Sequence, residues 1–422
     1  MKRFFYAVAA SIASCFMVVT GQNNPLYSWT DLAGSARPYP DSICPLSHPD
    51  SLTPVMITHV SRHGARFPTT GSCVAEVREF LMKAYDAGQL TEKGVSLLAL
   101  SDSVFKAGNG NWGRLDSLGE AEQRGIAGAL YESAPGLFGK GARISALSSW
   151  KPRCVMSMYS FIHQLTLLNG YGLEISTESG TSRADTLMRF FDTDRAYLDL
   201  KKSDRLLHIS EKYEQEMVND VTASSILRRL VGNTLPATPD ERRWEAMAVY
   251  SMIAGCGAMG IDVCPGEWFT QEEYYRCWAS KNLTQYLKYS ASEVSDIPMM
   301  MATPLLKALI AGIDTFVASG STPPVQLYFG HAETMMPLMT LMGISAANYI
   351  SPELDSVASH WHNFDLVPMA ANITLTLFRS TTGNYYLRLA VNGRMMPVIP
   401  GSGVDYASWS SARSYLEGRL AQ

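Results

Sequence analysis

Val55-Met56-Ile57-Thr58-His59-Val60-Ser61-Arg62-His63-Gly64-Ala65-Arg66-Phe67-Pro68 decides the fold. Its first six residues are apolar and rich in β-branched side chains, the pattern of a buried strand. The residues from Ser61 to Thr70 read as the loop that leaves it. In open α/β sheets ligands bind at the carboxyl ends of strands, so this loop is the first place to look for chemistry.

The loop holds the right groups for an anion. Two arginines flank one histidine, and a planar guanidinium matches phosphate oxygens better than an ammonium does. Gly64 allows the backbone close to a ligand, and Pro68 stiffens the exit. With a phosphoryl group gripped by Arg62 and Arg66, a neutral His63 imidazole could attack phosphorus in line. Surface ion pairs and a satisfied loop histidine would explain any one of these residues. Five specified residues within seven arise by chance in roughly 1 in 10⁴ chains of this length.

Working outward, helical patterns are expected at about 74–87, 92–107, 120–132 and 155–168, with a strand at 143–148 between the last two. From about 183 to 292 helical periodicity dominates and no convincing strand is visible. The alternation then resumes with a helix at 303–318, a strand at 325–329, the loop Gly330-His331-Ala332-Glu333, and an antiparallel pair at 371–378 and 385–390. The expected organisation is an α/β sheet domain built from both ends of the chain (22–182 and 296–422), with a mainly helical domain inserted at 183–295.

The chain has 422 residues, 46% hydrophobic and 18% charged, enough apolar material for a large core. Lys2 and Arg3 precede an apolar run from Phe4 to Val19, so residues 1–21 read as an export signal peptide. Ile12-Ala13-Ser14-Cys15 resembles a lipoprotein cleavage site, but the apolar residues that follow favour export over a lipid anchor at Cys15. No second apolar stretch of membrane length is read after the leader. Without Lys2 and Arg3, 33 basic residues face 39 acidic ones, a net charge of −6, which does not suit a nucleic-acid binder. Six cysteines remain after the leader, and an even count in an exported chain suggests disulfides. A local bridge among Cys256, Cys264 and Cys277 is the first expectation; the absence of a paired CxxC argues against zinc.

Arg62 to Pro68 matches the RHGxRxP signature of the histidine acid phosphatases, the clade-2 histidine phosphatases, and the chain resembles that family along nearly its whole mature length. Leu115-Asp116-Ser117-Leu118-Gly119 resembles the family's LTxxG helix entrance, and Lys151-Pro152-Arg153 stands where its central arginine is expected. His331-Ala332-Glu333 and Arg189-Phe190-Phe191-Asp192 look like the HAE and RFFD segments of the multiple inositol polyphosphate phosphatase branch. The C-terminal Arg419-Leu420-Ala421-Gln422 departs from the ER-retention signal of animal members, which favours a periplasmic, secreted or outer-surface location.

The resemblance implies that His63 is the nucleophile, that Arg62, Arg66, Arg153 and His331 clamp the phosphate, and that Glu333 donates the proton. Thr69, Arg183 and Arg189 are candidates for an outer substrate pocket, each with an equally ordinary structural explanation. No cofactor or metal is implied, the expected partner is a polyanionic small molecule such as an inositol phosphate, and a monomer is expected. A broader phosphatase of sugar phosphates or bisphosphoglycerate, a mutase and a binding protein without turnover are the alternatives.

Weaker motifs carry less. Gly108 to Gly113 satisfies GxGxxG with no strand feeding it. His360 and His362 lack further ligands for a metal, and Asn282 and Asn372 begin glycosylation sequons.

Overall fold

In the computed structural model, residues 27–421 are described except 41 and 171, so the leader and Cys15 lie outside the described residues. The signature run becomes β1 (Leu52–Arg62), buried from Met56 onward. Its neighbours are β2 (Arg143–Ser148), β3 (Glu174–Ser179), β4 (Val325–Gly330), β5 (Asn372–Ser380), β6 (Tyr385–Val391), β7 (Arg394–Met396) and β8 (Ala407–Ser408). They form one mixed sheet in the order β3-β2-β4-β1-β5-β6-β7, with β8 on β6. The strands β3, β2, β4 and β1 run parallel, and β5 to β8 continue antiparallel.

Strand periodicity sorts the core into two layers. Met56, Val60, Leu147 and Tyr328 point into one cluster with the helices Thr303–Ser319, Ala332–Leu341 and Trp409–Leu420. Ile57, Ile144, Ala146, Leu327 and Phe329 point into the other, covered by the helices Ser117–Ser133 and Pro152–Asn169. Burial on both faces explains why β1 and β4 read as continuous apolar runs. β3 escaped the sequence reading because its sequence, Glu-Ile-Ser-Thr-Glu-Ser, is polar and mostly exposed at the sheet edge.

A second core is helical. Helices Asp220–Val231, Pro239–Cys256 and Gln271–Tyr289 pack together there, but Ser72–Asp86 and Glu92–Gly108 join them through Val74, Val77, Leu81, Leu97 and Val104. These two helices, assigned from sequence to the sheet domain, thus bury their apolar faces against the inserted helices. The helical body is assembled from two separate stretches of chain.

The apolar run Ile297–Ser319 is long and apolar enough to cross a membrane by length and composition alone, a stretch the sequence reading did not single out. Its Leu305, Leu306, Leu309 and Ile313 are buried against the sheet, as a core helix requires. Asn282 and Asn372 are both buried and hydrogen-bonded, so neither sequon is open to a glycan in the folded chain.

The expected disulfides are not formed. Cys44, Cys73, Cys154, Cys256, Cys264 and Cys277 are all free thiols. Cys256 and Cys277 are sealed in the helical core while Cys264 is exposed, and Cys256 Sγ donates to the Met252 carbonyl at 3.4 Å instead. The denatured mature chain, purified without reductant, is expected to titrate with a thiol reagent at all six cysteines; a shortfall of two would mean a bridge has formed.

Candidate active site

β1 and β4 are parallel neighbours with Arg62 opposite Gly330, so the next residues of both strands, His63 and His331, emerge side by side. The His63 N–H donates to the Gly330 carbonyl at 3.0 Å, and the two imidazoles meet edge to face with centroids 5.6 Å apart. On the other side of β4, Ser148 of β2 pairs with Phe329, and the chain turns at Lys151 into a helix begun by Pro152 and Arg153. Three adjacent strand ends therefore deliver Arg62 and His63, His331, and Arg153 to one place, the crevice where open α/β sheets hold ligands.

His63 is buried, and its Nδ1 lies 2.9 Å from the Gly64 carbonyl. A carbonyl only accepts, so Nδ1 carries the proton and Nε2 keeps its lone pair. Burial, then the charges of Arg62, Arg153 and Arg66, holds the His63 pKa well below the ordinary histidine value. The ring is thus neutral at physiological pH, with the Nε2 lone pair available.

Around it the arginines are only partly engaged. Arg62 donates through Nη1 to the carbonyls of Ser35 (2.6 Å) and Val367 (2.5 Å), and Arg66 through Nη1 to Phe67 (2.8 Å). The Nε atoms of Arg62, Arg66 and Arg153 are all buried without a hydrogen-bond partner among the described residues. Buried donors left unpaired are uncommon and mark a place where a ligand's acceptors fit. Burial, with Arg66 next, pushes the Arg62 guanidinium down to about 9; burial, with Arg153 next, pushes Arg66 to about 10. Both remain charged at neutral pH.

His331 also sits among donors. Its Nε2 lies 2.9 Å from Arg189 Nη1 and 2.9 Å from Ser149 Oγ, and its Nδ1 lies 3.3 Å from Arg153 Nη2. A ring facing guanidinium groups at both nitrogens gains nothing from a second proton, and burial followed by Arg153 and Arg189 lowers its pKa well below normal. Glu333 occupies the first turn of the helix Ala332–Leu341, half-buried, and its charge acts on both Arg62 and Arg66.

The outer-pocket candidates separate. Arg189 reaches the inner cluster, paired with Asp192 and lying over the rings of Trp150 and Phe191 at 5.4 and 5.2 Å. Thr69 is exposed and borders a hollow of about 230 Å³ lined by Arg66, Pro68 and, from the helical body, Ser251, Met252 and Gly255. Arg183 is not part of the cluster. It pairs with Glu178 and lines a different cavity of about 300 Å³ with mid-strand residues such as Ser145, Ser176 and Leu327. One residue into its helix, it is carried back along the sheet instead of out to the strand ends.

Several supporting residues were not foreseen. Gln123 Nε2 donates to the Arg62 carbonyl (2.9 Å), Ser157 Oγ accepts from the Gly64 N–H (3.1 Å), and Glu122 Oε2 accepts from the Ala65 N–H (2.6 Å). Their one sequence signal is position: Glu122 and Gln123 stand four and three residues before Ile126, polar groups on the apolar face of their helix. Cys154 packs its buried thiol on the His331 ring at 3.6 Å from Nε2, with its pKa pushed up to about 12 by burial. His360 and His362 diverge, the first stacked on Tyr349 and the second bonded to the Tyr27 hydroxyl.

Gly64 and Gly119 bring loop and helix into backbone contact. A Cβ on Gly119 would stand 2.2 Å from the Ala65 carbonyl oxygen. Gly119→Ala is therefore expected to cost about 1–3 kcal/mol and to displace the loop, as read by chemical denaturation. A second expectation concerns pH. His63 and His331 stay neutral in the fold but take up protons in the unfolded chain below its pKa of ~6.5, so these two groups withdraw stability as pH drops through that value, while Glu122, raised by burial to about 7 in the fold, works the opposite way. Denaturation of the parent and of His331→Asn between pH 7.5 and 5.5 isolates the histidine part, the variant losing up to about 1.4 kcal/mol per pH unit of it.

The sequence pattern of the histidine phosphatase superfamily, branch 2, matches residues 55–392. Multiple inositol polyphosphate phosphatase 1 of Gallus gallus is 24% identical over 395 residues, covering 88% of this chain and 83% of that protein. The Homo sapiens protein of the same name is 24% identical over 426 residues, covering 93% and 84%. Among solved structures, the apo multiple inositol polyphosphate phosphatase of Bifidobacterium longum superposes with a TM-score of 0.78 at 16% identity, covering 92% of this chain and 97% of that one. The phytase of D. castellii superposes with a TM-score of 0.71 at 17% identity, covering 93% and 85%. With its signature, sheet and strand-end histidines inside the matched span, the chain belongs to branch 2 of the histidine phosphatase superfamily.

Proposed function

We propose that the chain hydrolyses phosphomonoesters of inositol polyphosphates, phytate included, through a phosphohistidine on His63. The observation that carries this reading is a neutral imidazole with its Nε2 lone pair available, ringed by three arginines whose buried Nε donors have no partner among the described residues. The relatives supply the substrate class: the vertebrate proteins are multiple inositol polyphosphate phosphatases, and the B. longum enzyme has been seen in complex with inositol hexasulfate.

In this reading Arg62, Arg66, Arg153 and His331 hold the phosphate oxygens and neutralise the charge that spreads over them as phosphorus transfers. His63 Nε2 forms the new P–N bond while the ester P–O bond breaks. The Glu333 carboxylic acid gives its proton to the departing alkoxide. Water then attacks the phosphohistidine, Glu333 takes up a proton from it, and inorganic phosphate leaves with His63 restored. The guanidinium groups supply the positive charge, so the reading is metal-independent. Arg189, beside His331, extends the basic lining toward a further phosphate. Export remains the reading of the leader alone, through Lys2, Arg3 and the apolar run behind them.

Phosphate release from phytate in the presence of EDTA tests this. The parent should be active, His63→Ala should lose nearly all turnover, and Glu333→Ala should lose about 100-fold or more. Cleavage of simple phosphomonoesters but not phytate would keep the chemistry and refute the substrate; full activity in His63→Ala would refute the mechanism.

A further inference from the structure

We propose that Glu122 is a positioning residue for the His63 loop, an ionised carboxylate that latches two backbone N–H groups and releases one of them when protonated. The inference rests on the phosphatase reading above.

The geometry is specific. Glu122 is 6% exposed, and its two oxygens accept from different segments: Oε2 from the Ala65 N–H at 2.6 Å, Oε1 from the Tyr39 N–H at 2.7 Å. Ala65 lies between the nucleophile and Arg66, two residues after the one and next to the other. Tyr39 belongs to the N-terminal strap, which also gives the Ser35 carbonyl to Arg62 and the Arg37 carbonyl to the Met369 N–H. One carboxylate therefore ties the loop to the strap behind it. The backbone contact between Gly64 and Gly119, one turn before Glu122, leaves the loop no slack against this helix.

Only one protonation state satisfies both donors. An ionised carboxylate is acceptor-only at both oxygens. A protonated one turns a hydroxyl toward an N–H, and that N–H, buried, loses its partner at a cost of about 1–3 kcal/mol. The balance is set by the surroundings. Burial pushes the Glu122 pKa up to about 7 and Asp116, at the start of the same helix, pushes the same way; the two N–H bonds and Arg62 of β1 pull it down. The Tyr39 phenol, held by Asn372, also lies within electrostatic reach of it. The sign follows: the latch is closed above about pH 7 and loosens below it.

The loop's other holds do not titrate. Gln123 and Ser157 fix Arg62 and Gly64, and the Ala370 N–H holds the His63 carbonyl at 3.0 Å. Protonation of Glu122 thus loosens the Ala65 end of the latch without unfolding the site, since the Ala65 carbonyl still accepts from the Asp116 N–H at 2.9 Å and Arg66 stays bridged to Leu115. Small displacements at a reacting centre cost up to about 100-fold in rate.

The test is kcat for phytate and for p-nitrophenyl phosphate from pH 5 to 8.5, in the parent, Glu122→Gln and Asp116→Asn. Glutamine offers one acceptor and turns an amide donor toward the second N–H at every pH, so it imitates the protonated latch. At pH 8 Glu122→Gln should be slower than the parent by about 10-fold or more. At pH 5, where the parent latch is itself protonated, the two should agree within about 2-fold. Asp116→Asn keeps a good helix cap but removes a charge, and should move the parent's fall in activity to lower pH. A parent-to-variant ratio equal at pH 5 and pH 8, or unity at pH 8, overturns the proposal. Should Glu122→Gln fail to fold, Asp116→Asn decides, and an unmoved pH profile overturns it. A parent inactive on both substrates would overturn the phosphatase reading and this inference with it.

Discussion

Everything at the strand ends depends on the register of β1 against β4. Parallel pairing with Arg62 opposite Gly330 makes His63 and His331 neighbours, although 267 intervening residues separate them in the chain. A shift by one residue would reverse the facing of every β1 side chain, sending Met56 and Val60 into the layer that now receives Ile57. The two apolar layers therefore enforce the alignment of the histidines. Core packing and site geometry are one constraint.

Given that alignment, the electrostatics follow from burial. Arg62, Arg66 and Arg153 converge on a pocket with Glu333 close by, and burial first, with this excess of positive charge second, keeps His63 and His331 from taking up protons. Burying guanidinium groups is costly unless they are hydrogen-bonded. The fold offsets part of that cost with carbonyls of Ser35, Phe67 and Val367, and leaves the Nε donors without a partner among the described residues. Under the proposed function these donors are pre-organised for a phosphoryl group, the condition under which electrostatic stabilisation contributes most to a reaction.

The local parts of this were legible in the sequence. The signature loop, the strand before it, the strand 143–148, most helix spans and the His331-Ala332-Glu333 segment depend on periodicity and short motifs, and the structure reproduces them. What depends on packing between distant segments was not. The edge strand β3 is too polar to show strand periodicity. Helices 72–86 and 92–108 bury their apolar faces in the helical body, a choice of partner that sequence period does not express. Arg183 and Arg189 looked alike in sequence, yet a helix of under two turns sends one to Glu178 and the other to His331. Glu122 and Gln123 could have been found as polar residues on an apolar helix face, but nothing local reveals that they hold the loop.

The proposed chemistry turns on a covalent intermediate at His63. Rapid acid-free quench of the parent with phytate carrying labelled phosphate, followed by mapping of the labelled peptide, tests it directly. Label is expected on His63 at Nε2, lost under acid as a phosphoramidate is, and absent in His63→Ala. Label on another residue, or steady turnover with no phosphoenzyme detectable on a single-turnover timescale, would contradict it.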